Sequence, residues 1–228
     1  NKGLISMKLL VSDFDGTLFN DHYKENIEAV NRFVDAGNLF AIATGRDLNR
    51  LLKDLDRNLK FNYLICSDGA VIYDAHFNEI YRSDIAPKVV DGVCEILRVN
   101  DCFGDIDLIE GANMNDRKIS AIYAPYDEGK AEMANYALSC LQKRFPQIHG
   151  YLSTHYINIT NRTVTKSSAI HQLLELEKLN PVLVYTIGDD QNDREMLLDF
   201  IGCAMVQNDL DFSTPVVKSV AELIQILL

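Results

Sequence analysis

Clustered basic residues are what this chain most plainly lacks. Its 22 Lys and Arg are outnumbered by 33 Asp and Glu, and the formal net charge is -11. Phosphate backbones recruit grouped Lys and Arg, so this balance argues against a nucleic-acid partner. No apolar run reaches the roughly 20 residues that a membrane-crossing helix needs, and no membrane partner is expected. No secretory leader is recognisable ahead of the first strand, so a cytoplasmic protein is the expectation. The cysteines (Cys66, Cys94, Cys102, Cys140 and Cys203) are scattered, odd in number and without a Cys-x-x-Cys pair. Neither a zinc site nor a disulfide framework is suggested, and inert thiols in a reducing compartment remain. Linkers rich in Gly, Pro or Ser, internal repeats and low-complexity tracts are absent too. The remainder is ordinary: 228 residues, 47% hydrophobic and 24% charged, enough for one large domain or two small ones.

Against that background one stretch stands out, Asp13-Phe14-Asp15-Gly16-Thr17. The apolar run Leu9-Leu10-Val11 ahead of it reads as a buried strand. Alternation along a strand predicts that Asp13 and Asp15 share one direction while Phe14 points into packing. Gly16 predicts a tight turn with exposed backbone N–H groups. Two close carboxylates repel unless a cation lies between them or one holds a proton, and both arrangements are chemically useful. A strand end capped by solvated aspartates would look the same. An acidic protein handling an anionic substrate needs a local cation, and a divalent metal held by aspartates supplies one.

The rest of the chain alternates strands and helices. Ile27, Val30, Phe33 and Val34 predict a helix over 26–36, followed by a strand over 39–43 that ends in Thr44-Gly45-Arg46. Asp47 is placed to cap a helix carrying Leu48, Leu51, Leu52 and Leu55. Tyr63-Leu64-Ile65-Cys66 reads as a third strand. This order predicts a parallel sheet with right-handed crossovers, whose ligands bind at the carboxyl ends of the strands.

From about residue 71 the pattern changes. A hairpin over 71–81, a helix opened by Pro87, and strands near 103–108 and 118–123 are expected. A helix over 128–145 follows, with Met133, Tyr136, Ala137, Cys140 and Leu141 as its apolar stripe, then strands over 148–152 and 156–160. These elements predict an α+β module inserted into the α/β domain, with residues 83–161 in the insert and 1–82 and 162–228 in the core. The parallel pattern then resumes with a helix opened by Lys166 and a strand over 182–187. That strand runs into Gly188-Asp189-Asp190-Gln191-Asn192-Asp193, and a helix, a strand over 201–205 and a last helix over 220–228 complete it.

Four polar stations thus fall at strand ends or helix starts: Asp13 with Asp15, Thr44 with Gly45, Lys166, and Asp189 with Asn192 and Asp193. Singly, each reads equally well as a turn, a first-turn lysine or a capped polar loop. Together, in this order, the sequence resembles the haloacid dehalogenase superfamily of phosphohydrolases. Asp13-Phe14-Asp15-Gly16-Thr17-Leu18 matches its first motif, Thr44-Gly45-Arg46 its second, Lys166 its third, and the 188–193 stretch its fourth. The position of the insert and the Thr-Gly-Arg resemble the Cof-like subfamily with a type IIB cap. Ile65-Cys66-Ser67-Asp68-Gly69-Ala70 is similar to that subfamily's Asn-Gly-Ala segment, with Asp68 where Asn is usual.

The resemblance implies a Rossmann-like parallel-sheet core with an α+β cap, and a Mg²⁺-dependent phosphatase of small phosphate esters, sugar phosphates above all. It implies Asp13 as nucleophile through an aspartyl phosphate and Asp15 as general acid and base. It implies Mg²⁺ on Asp13, the Asp15 carbonyl and Asp189, with Asp193 beside it as a further metal-site carboxylate. Thr44, Gly45, Lys166 and Asn192 are implied to hold the phosphoryl oxygens, and Arg46 to reach substrate or remain structural. For leaving-group selection the candidates are the polar stretch 111–118 and His155, Tyr156 and Asn158, with plain solvated loops the alternative. His76 and His149 read as surface residues. A monomer or weak homo-oligomer is expected. Alternatives are a sugar phosphomutase, a catalytically silent phosphate-ligand-binding protein, and a signalling receiver, which the position of Asp13 in the first strand argues against.

Overall fold

The computed structural model describes residues 7–110, 118–153, 155–179, 183–208 and 210–228. The chain divides into two compact units, Asn1–Ile80 with Thr165–Leu228, and Tyr81–Val164.

In chain order the elements are β1 (Lys8–Ser12), α1 (Tyr23–Asp35), β2 (Leu39–Ala43), α2 (Leu48–Asp54), β3 (Tyr63–Cys66), β4 (Val71–Asp74) and β5 (Glu79–Arg82). Then come α3 (Pro87–Val99), β6 (Asp107–Glu110), β7 (Ile119–Pro125), α4 (Ala131–Arg144), β8 (Ile148–Leu152) and β9 (Tyr156–Asn161). The first unit resumes with α5 (Lys166–Leu176), β10 (Leu183–Gly188), α6 (Arg194–Asp199), β11 (Ile201–Met205), β12 (Val216–Val217) and α7 (Val220–Leu227). Residue 182, the first of the strand expected over 182–187, lies outside the described residues.

Among the described residues the larger sheet has the order β12-β11-β10-β1-β2-β3-β4-β5. Strands β12 through β3 pair in parallel, and β3 with β4 antiparallel. The fold class is therefore α/β with a mostly parallel central sheet. The central strands bury four of five residues in β1 and β2 and all four in β3. That is the near-continuous apolar run expected where helices cover both faces of a parallel sheet. Leu10, Phe14, Val30, Phe33, Phe40, Leu64 and Ile224 are central to this core and fully buried. Because β10, β1, β2 and β3 run the same way, their carboxyl ends lie along one edge, where loops can carry a site.

Among its described residues the second unit contains a four-stranded sheet in the order β6-β7-β9-β8, antiparallel throughout. Val90, Val93, Leu97, Ile122, Leu138, Leu141 and Ile159 form its own core. Here α4 departs from expectation. Its buried stripe is Ala134, Ala137, Leu138 and Leu141, while Met133 and Tyr136 are 50% and 74% exposed. The spacing i, i+3, i+4, i+7 is kept, and Ala137 and Leu141 lie on the inner face as expected, but Ala134 and Leu138 are buried there in place of Met133 and Tyr136. Likewise the strand predicted over 103–108 begins only at Asp107.

Candidate active site

Strand β1 ends at Ser12, and the Asp13 N–H still bonds the Ile187 carbonyl of β10 at 2.9 Å. Asp13 is therefore fixed by the sheet and only 6% exposed. Asp15 does not follow it. The strand has already ended, so alternation no longer governs direction, and the Asp15 side chain is 53% exposed. The alternation argument for a shared direction therefore does not reach Asp15, and the two carboxylates differ in exposure and partners. Gly16 adopts φ +78° in the turn, as expected, but its N–H bonds the Phe19 carbonyl at 3.2 Å rather than standing open. Phe14 is fully buried.

Lys166 reaches Asp13 from the first position of α5. Thr165 caps that helix in a reciprocal capping box with Ser168, which fixes where the helix starts and hence where Lys166 lies. The lysine is 1% exposed. Its Nζ donates to Asp13 Oδ1 at 2.5 Å and to Asp193 Oδ1 at 2.6 Å. An ammonium this deeply buried persists only if paired. Burial alone pushes its pKa down, but Asp13, Asp193 and Asp68 outweigh burial, so the net shift is upward and Lys166 stays charged. Burial pushes Asp13 upward; Lys166 pulls it back, and Asp193 and Asp189 add to the rise. Several carboxylates share one ammonium here, and that excess of negative charge invites a cation.

The loop after β10 brings the remaining acids. Asp193 Oδ2 accepts from the backbone N–H of Asp189 at 3.0 Å and of Asp190 at 3.1 Å. Asp193 thus ties the loop to Lys166 with one oxygen on each. Gly188 permits this approach: a Cβ there would lie 2.4 Å from Asp193 Cγ. Asp189 Oδ1 accepts from the Thr17 hydroxyl at 2.6 Å, linking this loop to the one after β1. Burial pushes the Asp189 carboxyl up to about 6, assisted by Asp193 and Asp190 and opposed by Thr17 and Lys166.

Asp13, Asp189 and Asp193 each offer a carboxylate oxygen within 4.8 Å of the others. An all-oxygen, multiply anionic set of this kind suits a hard divalent cation such as Mg²⁺. Both Asp193 oxygens are engaged, one by Lys166 and one by the loop N–H groups. The residues fit a Mg²⁺ ion held chiefly by Asp13 and Asp189, with Asp193 setting their loop.

Thr44 follows β2, is 1% exposed, and its N–H bonds the Ile65 carbonyl at 2.8 Å. Its hydroxyl accepts the Arg46 N–H at 3.1 Å. Gly45 is half-buried beside it. Arg46 turns towards the β1 loop: Nε and Nη2 grip Asp15 at 2.8 and 2.6 Å, and Nη1 meets Asp54 at 2.5 Å. Its guanidinium also lies 5.1 Å from the Phe14 ring centroid. This bidentate grip holds Asp15 in one orientation. Asn192 Nδ2 donates to Asp68 Oδ1 at 3.2 Å. Thr17, Asp54 and Asp68 are members of this constellation that residue-type reasoning left without a role. Thr17 stood inside the first motif and Asp68 stood out as a departure from Asn, so both carried a signal; Asp54 carried none.

The second-unit candidates are placed otherwise. Asn158 is buried and bonds Ser153 Oγ and the Tyr156 carbonyl, which suits a structural role. His155 pairs with exposed Glu128 at 2.7 Å. His76 and His149 are exposed. Of the stretch 111–118, residues 111–117 lie outside the described residues.

A family model described as haloacid dehalogenase-like hydrolase matches residues 10–114 and 104–224. The chain belongs to the haloacid dehalogenase-like hydrolases. Over 230 residues it is 26% identical to a Buchnera aphidicola protein whose assignment as a phosphatase is itself provisional, covering 86% of this chain and 85% of that one. It is 24% identical to a 5-amino-6-(5-phospho-D-ribitylamino)uracil phosphatase of Bacillus subtilis, covering 83% of this chain and 84% of that protein. The solved structure of a subclass IIB sugar phosphatase shares the fold with a TM-score of 0.77 at 19% identity, covering 97% of this chain and 99% of its own. Among the described residues of this family member, no helix is long and apolar enough to cross a membrane.

Proposed function

We propose that this phosphatase of the haloacid dehalogenase-like hydrolases is Mg²⁺-dependent and hydrolyses small phosphorylated metabolites, sugar phosphates or similar polyol phosphates, through phosphorylation of Asp13. The observation that carries this reading is the buried ammonium of Lys166 held between Asp13 and Asp193, with Asp189 within reach of the same cation. Such a cluster has little structural rationale. Replacing buried ion pairs by apolar residues is commonly neutral or stabilising, so a buried triad of this kind points to chemistry.

The roles proposed are those the resemblance implies, with the geometry in support. Asp13 is held against the sheet with one oxygen on Lys166, leaving the other to attack phosphorus. Lys166 neutralises charge on the phosphoryl oxygens, and Thr44, Gly45 and Asn192 supply hydrogen bonds to them. Asp15 protonates the leaving oxygen and then deprotonates the attacking water, each proton moving at its carboxylate. To do so it must part from Arg46, which makes Arg46 a positioning residue for Asp15 in this reading. Mg²⁺, when bound on Asp13, Asp189 and the Asp15 carbonyl, supplies positive charge that lets a carboxylate approach an anionic ester. Asp193 keeps the 188–193 loop and Lys166 in register.

The polyol preference draws on the relatives: one is named for a sugar phosphate and one for a phosphoribityl compound. The unit 81–164 is proposed to select the leaving group as a cap. A cytoplasmic, reducing location accords with five cysteines that form no disulfide. The test is phosphate release from a panel of phosphate esters with and without Mg²⁺, for the wild type and Asp13→Asn. Metal-dependent release that the variant loses supports the reading. Release that is indifferent to Mg²⁺ or to the variant contradicts it.

A further inference from the structure

Asp68 follows β3, at the same sheet edge as Asp13 and Thr44. It is a carboxylate with only 7% of its surface exposed, beside a site already rich in acids. Its backbone is in the left-handed region, φ 56° and ψ 20°, and Ser67 before it is at φ 52°. Consecutive non-glycine residues in this region are strained, and such strain persists only where the surroundings enforce it. The enforcement is visible. The Asp68 N–H bonds the Thr44 carbonyl at 3.0 Å, the Ser67 N–H bonds the Arg46 carbonyl at 2.9 Å, and Asp68 Oδ1 accepts Asn192 Nδ2 at 3.2 Å. One residue therefore joins the loops after β2, β3 and β10.

We propose that Asp68 is a positioning residue of the phosphoryl site: it orients the Asn192 carboxamide, and its charge opposes retention of the phosphate product. The inference rests on the phosphatase reading and deepens it. Lys166 has Asp13 and Asp193 as direct partners. Asp68 adds a third negative charge to the surroundings of that ammonium. A phosphate dianion binding Lys166 must share the ammonium with this third carboxylate. The acid thus weakens the hold on the product, while its hydrogen bond keeps Asn192 aimed.

Two substitutions separate the charge from the hydrogen bond. Asp68→Asn keeps an acceptor for Asn192, removes the charge, and tolerates φ > 0 well. Asp68→Gly removes both and also accepts this backbone conformation, so folding is preserved in either variant. Calorimetry of inorganic phosphate binding to the Mg²⁺-loaded protein is paired with steady-state hydrolysis of p-nitrophenyl phosphate. In Asp68→Asn, phosphate binds about tenfold more tightly, the order expected on removing one partly shielded charge at close range. KM falls with it, and kcat falls severalfold as product lingers. In Asp68→Gly, phosphate binds more weakly than in Asp68→Asn and kcat drops further. Adding Asn192→Ala to Asp68→Gly costs nothing more, because the two residues act as one unit. Phosphate affinity in Asp68→Asn equal to or weaker than wild type overturns the inference, as do independent, multiplying losses for Asp68→Gly and Asn192→Ala. A wild type that releases phosphate with Mg²⁺ while the variants fail these expectations contradicts this inference alone. A wild type that neither releases nor binds phosphate overturns the phosphatase reading and this inference with it.

Discussion

Lys166 is the residue on which the site turns. Its ammonium is 1% exposed and touches two carboxylates, so removing it strands both in a poorly solvated place. Lys166→Met is expected to lower kcat by at least about 10³-fold, in line with losing a preorganised transition-state charge. Breaking a buried pair typically costs about 3–5 kcal/mol, and thermal unfolding of the variant checks that cost. Asp189 carries the pH dependence. Its folded-state pKa of about 6 stands above the ordinary 3.8, so the metal-free fold prefers its protonated form. That contribution to stability is fully present below the ordinary value and is lost as pH rises through about 6. Mg²⁺ requires the carboxylate, so protons compete with it: Mg²⁺ affinity is expected to weaken below about pH 6, and binding at pH 6 to release protons. Calorimetry in two buffers of different ionisation enthalpy reads both effects. At this scale the acids that cluster stood out in the sequence, because Asp-x-Asp after an apolar run and Gly-Asp-Asp at the end of a later strand are local patterns. The sequence did not disclose their partners. The exposure of Asp15 goes with β1 ending at Ser12, and the grip of Arg46 on it depended on a tertiary approach.

Elements explain why these side chains stay in place. The capping box of Thr165 and Ser168 sets the first turn of α5, which bears Lys166. Thr165→Ala is expected to destabilise the fold by about 1 kcal/mol, as loss of an N-cap does, and to lower kcat by loosening Lys166. Chemical denaturation together with steady-state kinetics checks both effects. Gly188 closes β10 where a Cβ would overlap Asp193, so Gly188→Ala is expected to displace the Asp189 loop and weaken Mg²⁺ binding more than it weakens the fold. Titration with Mg²⁺ beside thermal unfolding separates the two. Several elements were legible from local signals. β2 over 39–43, β3 over 63–66 and the Asp47 cap of α2 follow from apolar runs and a side-chain cap that needs no distant partner. The orientation of α4 was legible only in part: Ala137 and Leu141 were placed on its inner face, but Ala134 contributes little to an apolar stripe read by size. Met133 and Tyr136, larger and outward, dominated that stripe.

The whole molecule assembles a site from segments far apart in sequence. Asp13, Thr44, Asp68, Lys166 and Asp189 meet because β1, β2, β3 and β10 run in parallel and end along one edge. The α/β class was legible because strands alternated with amphipathic helices on both sides of the central stretch. The pairing of β10 beside β1, which brings Asp189 to Asp13 from 176 positions away in the sequence, was not read from the sequence. A net charge of -11 makes the same point at large scale: an anionic ester meets an acidic protein, and local cations must reverse the sign. The central claim is that Asp13 carries the phosphoryl group, and one measurement tests it most directly. Enzyme quenched during turnover of a phosphate ester with Mg²⁺ is treated with borohydride, which reduces an aspartyl phosphate to homoserine, and its peptides are sequenced by mass spectrometry. The account predicts homoserine at position 13 in quenched samples and aspartate there without substrate. Turnover with position 13 unmodified, or modification at another residue, would contradict it.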